Sequence, residues 1–257
     1  MKFAGVAVLG LMLALPVSRA HAAAEMIVNG NFESTSLTSS RQFTGSQVTG
    51  WSNATTSGYT GNGYNFLIQP GTADTTGFTS NGGNLDRLWG PGNGVGSANY
   101  SANGMTAASP VGGNYILADG DANFRGAISQ TVNNLSVGST YLLSFYWAAA
   151  QFAPYNGATT ESWQVTFGSN TQSTPVVALA SHGFTPWTQQ TFAFTATAAS
   201  QVLSFLAVGT PNGTPPSSLL DGVSLVAAPE PASAALILVG LLGFAAVTWH
   251  RGRRSAV

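Results

Sequence analysis

The sequence predicts an all-β protein: a jelly-roll-type β-sandwich with long Gly/Asn-rich loops. Three observations carry that prediction. The interior of the chain sustains no helical periodicity. Short stretches that alternate apolar and polar residues recur between clusters of Gly, Asn, Ser and Pro. The chain of 257 residues is 44% hydrophobic and has no cysteine, so core burial and sheet pairing must hold it together.

The N-terminus begins Met1-Lys2, continues with an apolar run from Phe3 to Val17, and ends in Ala20-His21-Ala22-Ala23-Ala24. A basic start, an apolar stretch and small residues at alternate positions predict a secretory signal peptide over 1–24, removed by signal peptidase. The body, 25–227, opens with a strand at Met26-Ile27-Val28. Residues 34–114 read as long loops, with one or two strands near Phe66-Leu67-Ile68. Tyr115-Ile116-Leu117 and Ile128 to Val132 follow as strands. Tyr141, Leu143, Phe145 and Trp147 share one face of the strongest strand. Trp163, Val165 and Phe167 form another face, and Phe192 with Phe194 a third. Val202 to Val208 reads as a continuous apolar strand, and Val223-Ser224-Leu225 closes the body.

Charge excludes several functions. Only 7% of residues are charged, against about 25% in an ordinary soluble domain. The net charge is −1, and only Arg41, Arg87 and Arg125 are basic within the body, which excludes a nucleic-acid binder. The absence of cysteine removes thiolate metal sites and a cysteine nucleophile.

The C-terminus reads Pro229-Glu230-Pro231, then an apolar span over 232–249, then His250-Arg251-Gly252-Arg253-Arg254. The span is long enough to cross a bilayer as one helix. Arg251, Arg253 and Arg254 form a basic anchor that stays cytoplasmic. The three parts in this order, over 228–254, resemble the PEP-CTERM sorting signal. That resemblance implies a Gram-negative bacterium that makes extracellular polysaccharide. It also implies an exosortase as partner, cleaving near Pro229-Glu230-Pro231. The precursor is then tethered to the inner membrane, and the body goes to the cell surface or extracellular matrix.

Asn29-Gly30-Asn31-Phe32-Glu33, Gly50-Trp51, Ile128-Ser129-Gln130-Thr131-Val132 and Leu220-Asp221-Gly222-Val223-Ser224-Leu225 resemble the galactose-binding-like jelly rolls, carbohydrate-binding modules among them. The resemblance implies a structural calcium ion beside the first and last strands, with Glu33 and Asp221 at the matching positions. The family's paired aspartates are Asp221-Gly222 here, so one carboxylate of the pattern is missing.

Catalysis has few candidates. His182 is the one histidine of the body, and no nucleophile elbow is present. Glycoside hydrolysis needs two carboxyl groups across the bond. Asp119, Asp121, Glu33, Glu161 and Asp221 are available, but no spacing singles out a pair. Asp119-Gly120-Asp121-Ala122-Asn123 begins like a calcium loop, yet Phe124 and Gln130 stand where glycine and glutamate belong, so it reads as a polar turn. Sugar recognition uses aromatic faces among polar loops. Trp51, Trp89 and Tyr64 are the candidates taken forward, while Trp147, Trp163 and Trp187 read as core. The expectation is a non-enzymatic exported surface or matrix protein associated with exopolysaccharide. The alternative is a carbohydrate-binding module with a defined glycan pocket, and the lesser alternative a small glycan hydrolase.

Overall fold

The structure is a computed structural model of the chain. It describes residues 24–54, 63–80, 83–93 and 100–229. The leader up to residue 23, the span 232–249, Glu230, Pro231, Arg251, Arg253 and Arg254 lie outside the described residues.

Fourteen strands form two sheets among the described residues. The first half contributes β1 (Arg41–Gln42), β2 (Ser52–Asn53), β3 (Asn65–Ile68), β4 (Phe78–Thr79), β5 (Leu85–Leu88), β6 (Tyr115–Asp119) and β7 (Ile128–Val132). The second half contributes β8 (Thr140–Ala153), β9 (Thr159–Phe167), β10 (Asn170–Ser173), β11 (Val177–Leu179), β12 (Thr188–Thr195), β13 (Gln201–Thr210) and β14 (Pro216–Ala227). The eight-stranded sheet runs β12-β8-β14-β6-β3-β1-β4-β5, and β5 also pairs with the end of β8. The six-stranded sheet runs β10-β9-β13-β7-β2, with β11 also on β9.

The period of two decides where the core lies. Tyr141, Leu143, Phe145 and Trp147 of β8 point between the sheets, towards Trp163, Val165 and Phe167 of β9 and Leu203, Phe205 and Ala207 of β13. Phe205 sits at the centre, with ring centroids 5.1 Å from Phe145, 5.9 Å from Trp163 and 6.2 Å from Trp51. Each such side chain contributes roughly 1.5–3 kcal/mol by leaving water. The β13 strand alternates rather than being apolar on both faces: Val202, Ser204, Leu206 and Val208 lie on its partly solvated side. The far face of this sheet meets solvent at β13, so only one face of the strand is fully buried.

Two local features differ from the sequence reading. Residues 26–28 do not form a strand of their own. Instead they run along β14, with the Met26 N–H donating to the Leu225 carbonyl at 3.0 Å and Glu25 bridging Val226. Gly30 makes this approach possible, because a Cβ there would stand 1.8 Å from the Val223 carbonyl oxygen. The stretch 34–114 contains β1 to β5 rather than one or two strands. Three of them are two residues long, too short to show a period.

A second apolar layer lies on the opposite face of the eight-stranded sheet. Phe66, Leu117, Ala148, Ala150 and Leu219 alternate with core-facing neighbours and so point outward. The segment between β3 and β6 folds back over them, inserting Phe78, Leu88 and Met105. This face is therefore covered along its middle.

A candidate ligand pocket on the outer sheet face

At one end of the covered face a cavity of about 190 Å³ stays open. Tyr64, Phe124 and Tyr155 supply its aromatic walls, and Asp86 and Asp119 its carboxyl groups. Tyr64 precedes β3 and stacks on Phe124 with centroids 5.1 Å apart and planes at 20°. Backbone bonds fix that pair: the Tyr64 N–H donates to the Phe124 carbonyl, and the Asp119 N–H to the Tyr64 carbonyl, both at 2.9 Å.

Asp119 ends β6 on the outer face and is 1% exposed. Its Oδ1 accepts the Asp121 N–H at 2.8 Å, and Asp121 Oδ1 accepts the Asn123 N–H at 2.8 Å. The stretch 119–123 is thus a polar turn whose carboxylates accept backbone N–H groups. Burial pushes the Asp119 carboxyl up to about 8, with the charges of Asp121 and Asp86 adding to the rise and the Asp121 N–H opposing it. Burial also pushes Asp86 up to about 6. Two acids in an aromatic pocket can donate hydrogen bonds when protonated and accept them when ionised.

Trp89 shapes this wall from behind. It is 3% exposed and its Nε1 donates to the Tyr155 carbonyl at 2.7 Å. Its indole stacks on His182 with centroids 3.6 Å apart. His182 has a left-handed backbone (φ 62°), and its Nε2 donates to Asn156 Oδ1 at 2.6 Å. The loop histidine is thereby a structural clamp on Trp89.

The other residues singled out by the sequence lie elsewhere. Trp51 is a core residue, 1% exposed, against Phe32 and Phe205, with Nε1 donating to the Asn29 carbonyl at 3.0 Å. It cannot meet a ligand from there, because the N-terminal segment closes over it. Trp187, read as core, is half-buried and lines a second, open cavity with Phe184 and Pro186. Glu161 is fully buried on the inner face of β9, paired with Gly209, and among the described residues only the nearby Thr159 hydroxyl offsets the burial of its carboxyl. It shares no pocket with Asp119, which is on the other sheet. Phe124 is a pocket residue the sequence reading missed, and so is Asp86. Its one signal was the alternation Leu85-Asp86-Arg87-Leu88, which puts Asp86 and Leu88 on one face.

Glu33 and Asp221 are brought together. Asp221, on β14, is fully buried, and its carboxyl accepts the Ser109 hydroxyl and the Gly222 N–H. Glu33 accepts the Asn114 N–H, and Gly113 (φ +72°) leaves room for it: a Cβ there would lie 1.8 Å from Glu33 Oε1. Burial pushes Asp221 up to about 7, and the charge of Glu33 adds to the rise. Pro229 follows β14 and is exposed.

The chain matches no protein-family model and no curated protein. Among solved structures, it is similar to a family 61 carbohydrate-binding module in complex with β-1,4-galactotriose. That match has 18% identity, covers 46% of this chain and 72% of the other, and has a TM-score of 0.32. A family 4 carbohydrate-binding module matches at 15% identity over 79% of this chain and 99% of its own, with a TM-score of 0.33. A tandem of family 22 modules from Paenibacillus barcinonensis Xyn10C matches at 12% identity over 83% of this chain and 48% of its own, with a TM-score of 0.36.

Proposed function

We propose that this chain is a carbohydrate-binding protein, and that the cavity walled by Tyr64, Phe124 and Tyr155 over Asp86 and Asp119 is its glycan pocket. The observation that carries the reading is this pairing of aromatic faces with carboxyl groups in one concave site. A pyranose ring has apolar C–H faces and a rim of hydroxyl groups, and the site offers a counterpart for each. Tyr64→Ala removes one stacked face. It is expected to weaken sugar binding at least about tenfold, roughly 1.4 kcal/mol, in isothermal titration. Unchanged affinity in a folded variant would move the site elsewhere. Binding rather than cleavage is part of this proposal: Asp86 and Asp119 share the cavity, and turnover of a labelled glycan that is lost in Asp86→Asn or Asp119→Asn would make the pocket a hydrolase site instead.

The sorting reading of the termini stands beside this one. A signal peptide and a PEP-CTERM tail would export the body through signal peptidase and an exosortase, from an inner-membrane precursor to the cell surface or matrix. Association with exopolysaccharide then follows from a pocket that binds glycans. Intact mass of the protein recovered from cells and medium tests it: loss of both termini is expected, and a full-length chain in the cytosol refutes it.

We also propose a structural calcium ion held by Glu33 and Asp221. The donor set is oxygen only, as a hard cation requires, and the hydrogen bonds to the pair come from neutral groups. The buried Asp221 carboxyl lies beside a second acid and meets no basic group among the described residues, and such an ion would supply that positive charge. Calcium chloride is expected to raise the melting temperature, and Glu33→Gln to cancel the rise. Equal melting temperatures with calcium and with chelator would remove the ion.

A further inference from the structure

We propose that the pocket selects a sugar carrying a free amine, an amino sugar in its ammonium form, which seats its nitrogen between Asp86 and Asp119. This rests on the carbohydrate-binding reading and names the ligand class for that site.

The first ground is charge. Asp86 and Asp119 are the charged residues lining the cavity, and no basic side chain joins them there among the described residues. Asp119 takes one hydrogen bond, from the Asp121 N–H, and Asp86 takes none from the described residues. Carboxyl groups withdrawn from water need either a proton or a cation. The upward displacement of both groups reports that need. An ammonium meets it directly: it brings one positive charge and three donors, and its hydrogen bonds to carboxylate are about twice as strong as neutral ones. A hydroxyl group at the same place can take the acids' protons in hydrogen bonds but brings no charge that lets them ionise. A uronic acid would set a carboxylate against the two acids and be rejected.

The second ground is size and surface. About 190 Å³ corresponds to some six waters at roughly 30 Å³ each, which suits one sugar ring rather than a chain. Phe78, Leu88 and Met105 fill the sheet face beyond the cavity, so a longer glycan enters end-on. The Tyr64–Phe124 stack and Tyr155 then cover the ring while the acids take its nitrogen. A bare inorganic cation would leave those aromatic walls without a role.

The test is isothermal titration of the full chain at about pH 6 with glucosamine, N-acetylglucosamine, glucose and glucuronic acid. Glucosamine is expected to bind at least about tenfold more tightly than the other three. Because Asp119 holds a proton in the free protein at that pH, entry of the ammonium transfers that proton to buffer. Titration in buffers of different ionisation heat should therefore show proton release for glucosamine and none for glucose. Asp119→Asn should reduce the release to the share that comes from Asp86. Asp86→Asn, at the more exposed acid, should reduce the preference without unfolding the protein, as checked by its melting temperature. Equal binding of glucose and glucosamine would overturn the amine selection and leave the carbohydrate reading intact. Binding of methylamine as tight as that of glucosamine would also overturn it, by reducing the site to a cation trap. If no sugar binds, the carbohydrate reading falls and this inference with it.

Discussion

Trp51→Ala is expected to destabilise the protein by about 3–5 kcal/mol while leaving the glycan affinity of the folded fraction unchanged. Trp51 is 1% exposed and ties three parts of the chain together. Its ring meets Phe32 of the N-terminal segment at 5.3 Å and Phe205 of β13 at 6.2 Å, and its Nε1 holds the Asn29 carbonyl at 3.0 Å. Truncation opens a cavity beneath a backbone that two left-handed residues, Asn29 (φ 55°) and Phe32 (φ 57°), fix in place. The site can collapse only by moving that backbone, so the cost falls at the upper end. Trp51→Phe keeps most of the volume, loses the hydrogen bond and should cost less. Urea unfolding followed by circular dichroism reads both variants. A small loss of stability together with loss of sugar binding would return Trp51 to the ligand site.

The same residue shows which parts of the fold could be read in the sequence. Strands β7, β9, β12 and β13 and the first half of β8 announce themselves, because each buries one face and so alternates along several residues, whereas β6 is covered on both faces and reads as a short apolar run. Gly50-Trp51 carries no such pattern. Its neighbours in space, Phe32 and Phe205, are far away in sequence, and only the closed sandwich brings them together. Strands β1, β2 and β4 are held by pairing with distant partners, such as Arg41 on Leu67 and Asn53 on Ile128, rather than by any local preference. Tyr64 could be chosen from sequence because it stands beside glycines and asparagine. Asp86 could not, since its role depends on β5 folding over the sheet that carries Asp119. Glu33 and Asp221 were legible only through motif resemblance, and the structure supplies what spacing could not: Ser109 and Asn114, from the intervening segment, hydrogen-bond to them.

Four acids with raised proton affinity set the largest response to solution conditions. Burial holds Asp119 at about 8, Asp221 and Glu161 at about 7 and Asp86 at about 6, against ordinary values of 3.8 for aspartate and 4.5 for glutamate. In each, the folded state keeps a proton that the unfolded chain has already released. Folding stability is therefore fully present below the ordinary carboxyl values and is lost as pH rises through the displaced ones. The protein is expected to be most stable near pH 4–5 and to weaken steadily towards pH 8. Glu161 isolates one share of this, because it lies on β9 and its displacement comes from burial, opposed by Thr159, with no part from the charges of the other three acids. At about 1.4 kcal/mol per tenfold change in proton affinity, its share is about 3 kcal/mol. Glu161→Gln keeps the shape and removes the proton equilibrium. The variant should therefore match the wild type near pH 5 and exceed it near pH 8, measured by urea unfolding in chelator so that no cation masks Asp221. Parallel profiles for the two proteins would show that Glu161 stays ionised in the fold. A wild-type stability that rises between those pH values would reverse the sign for the whole set.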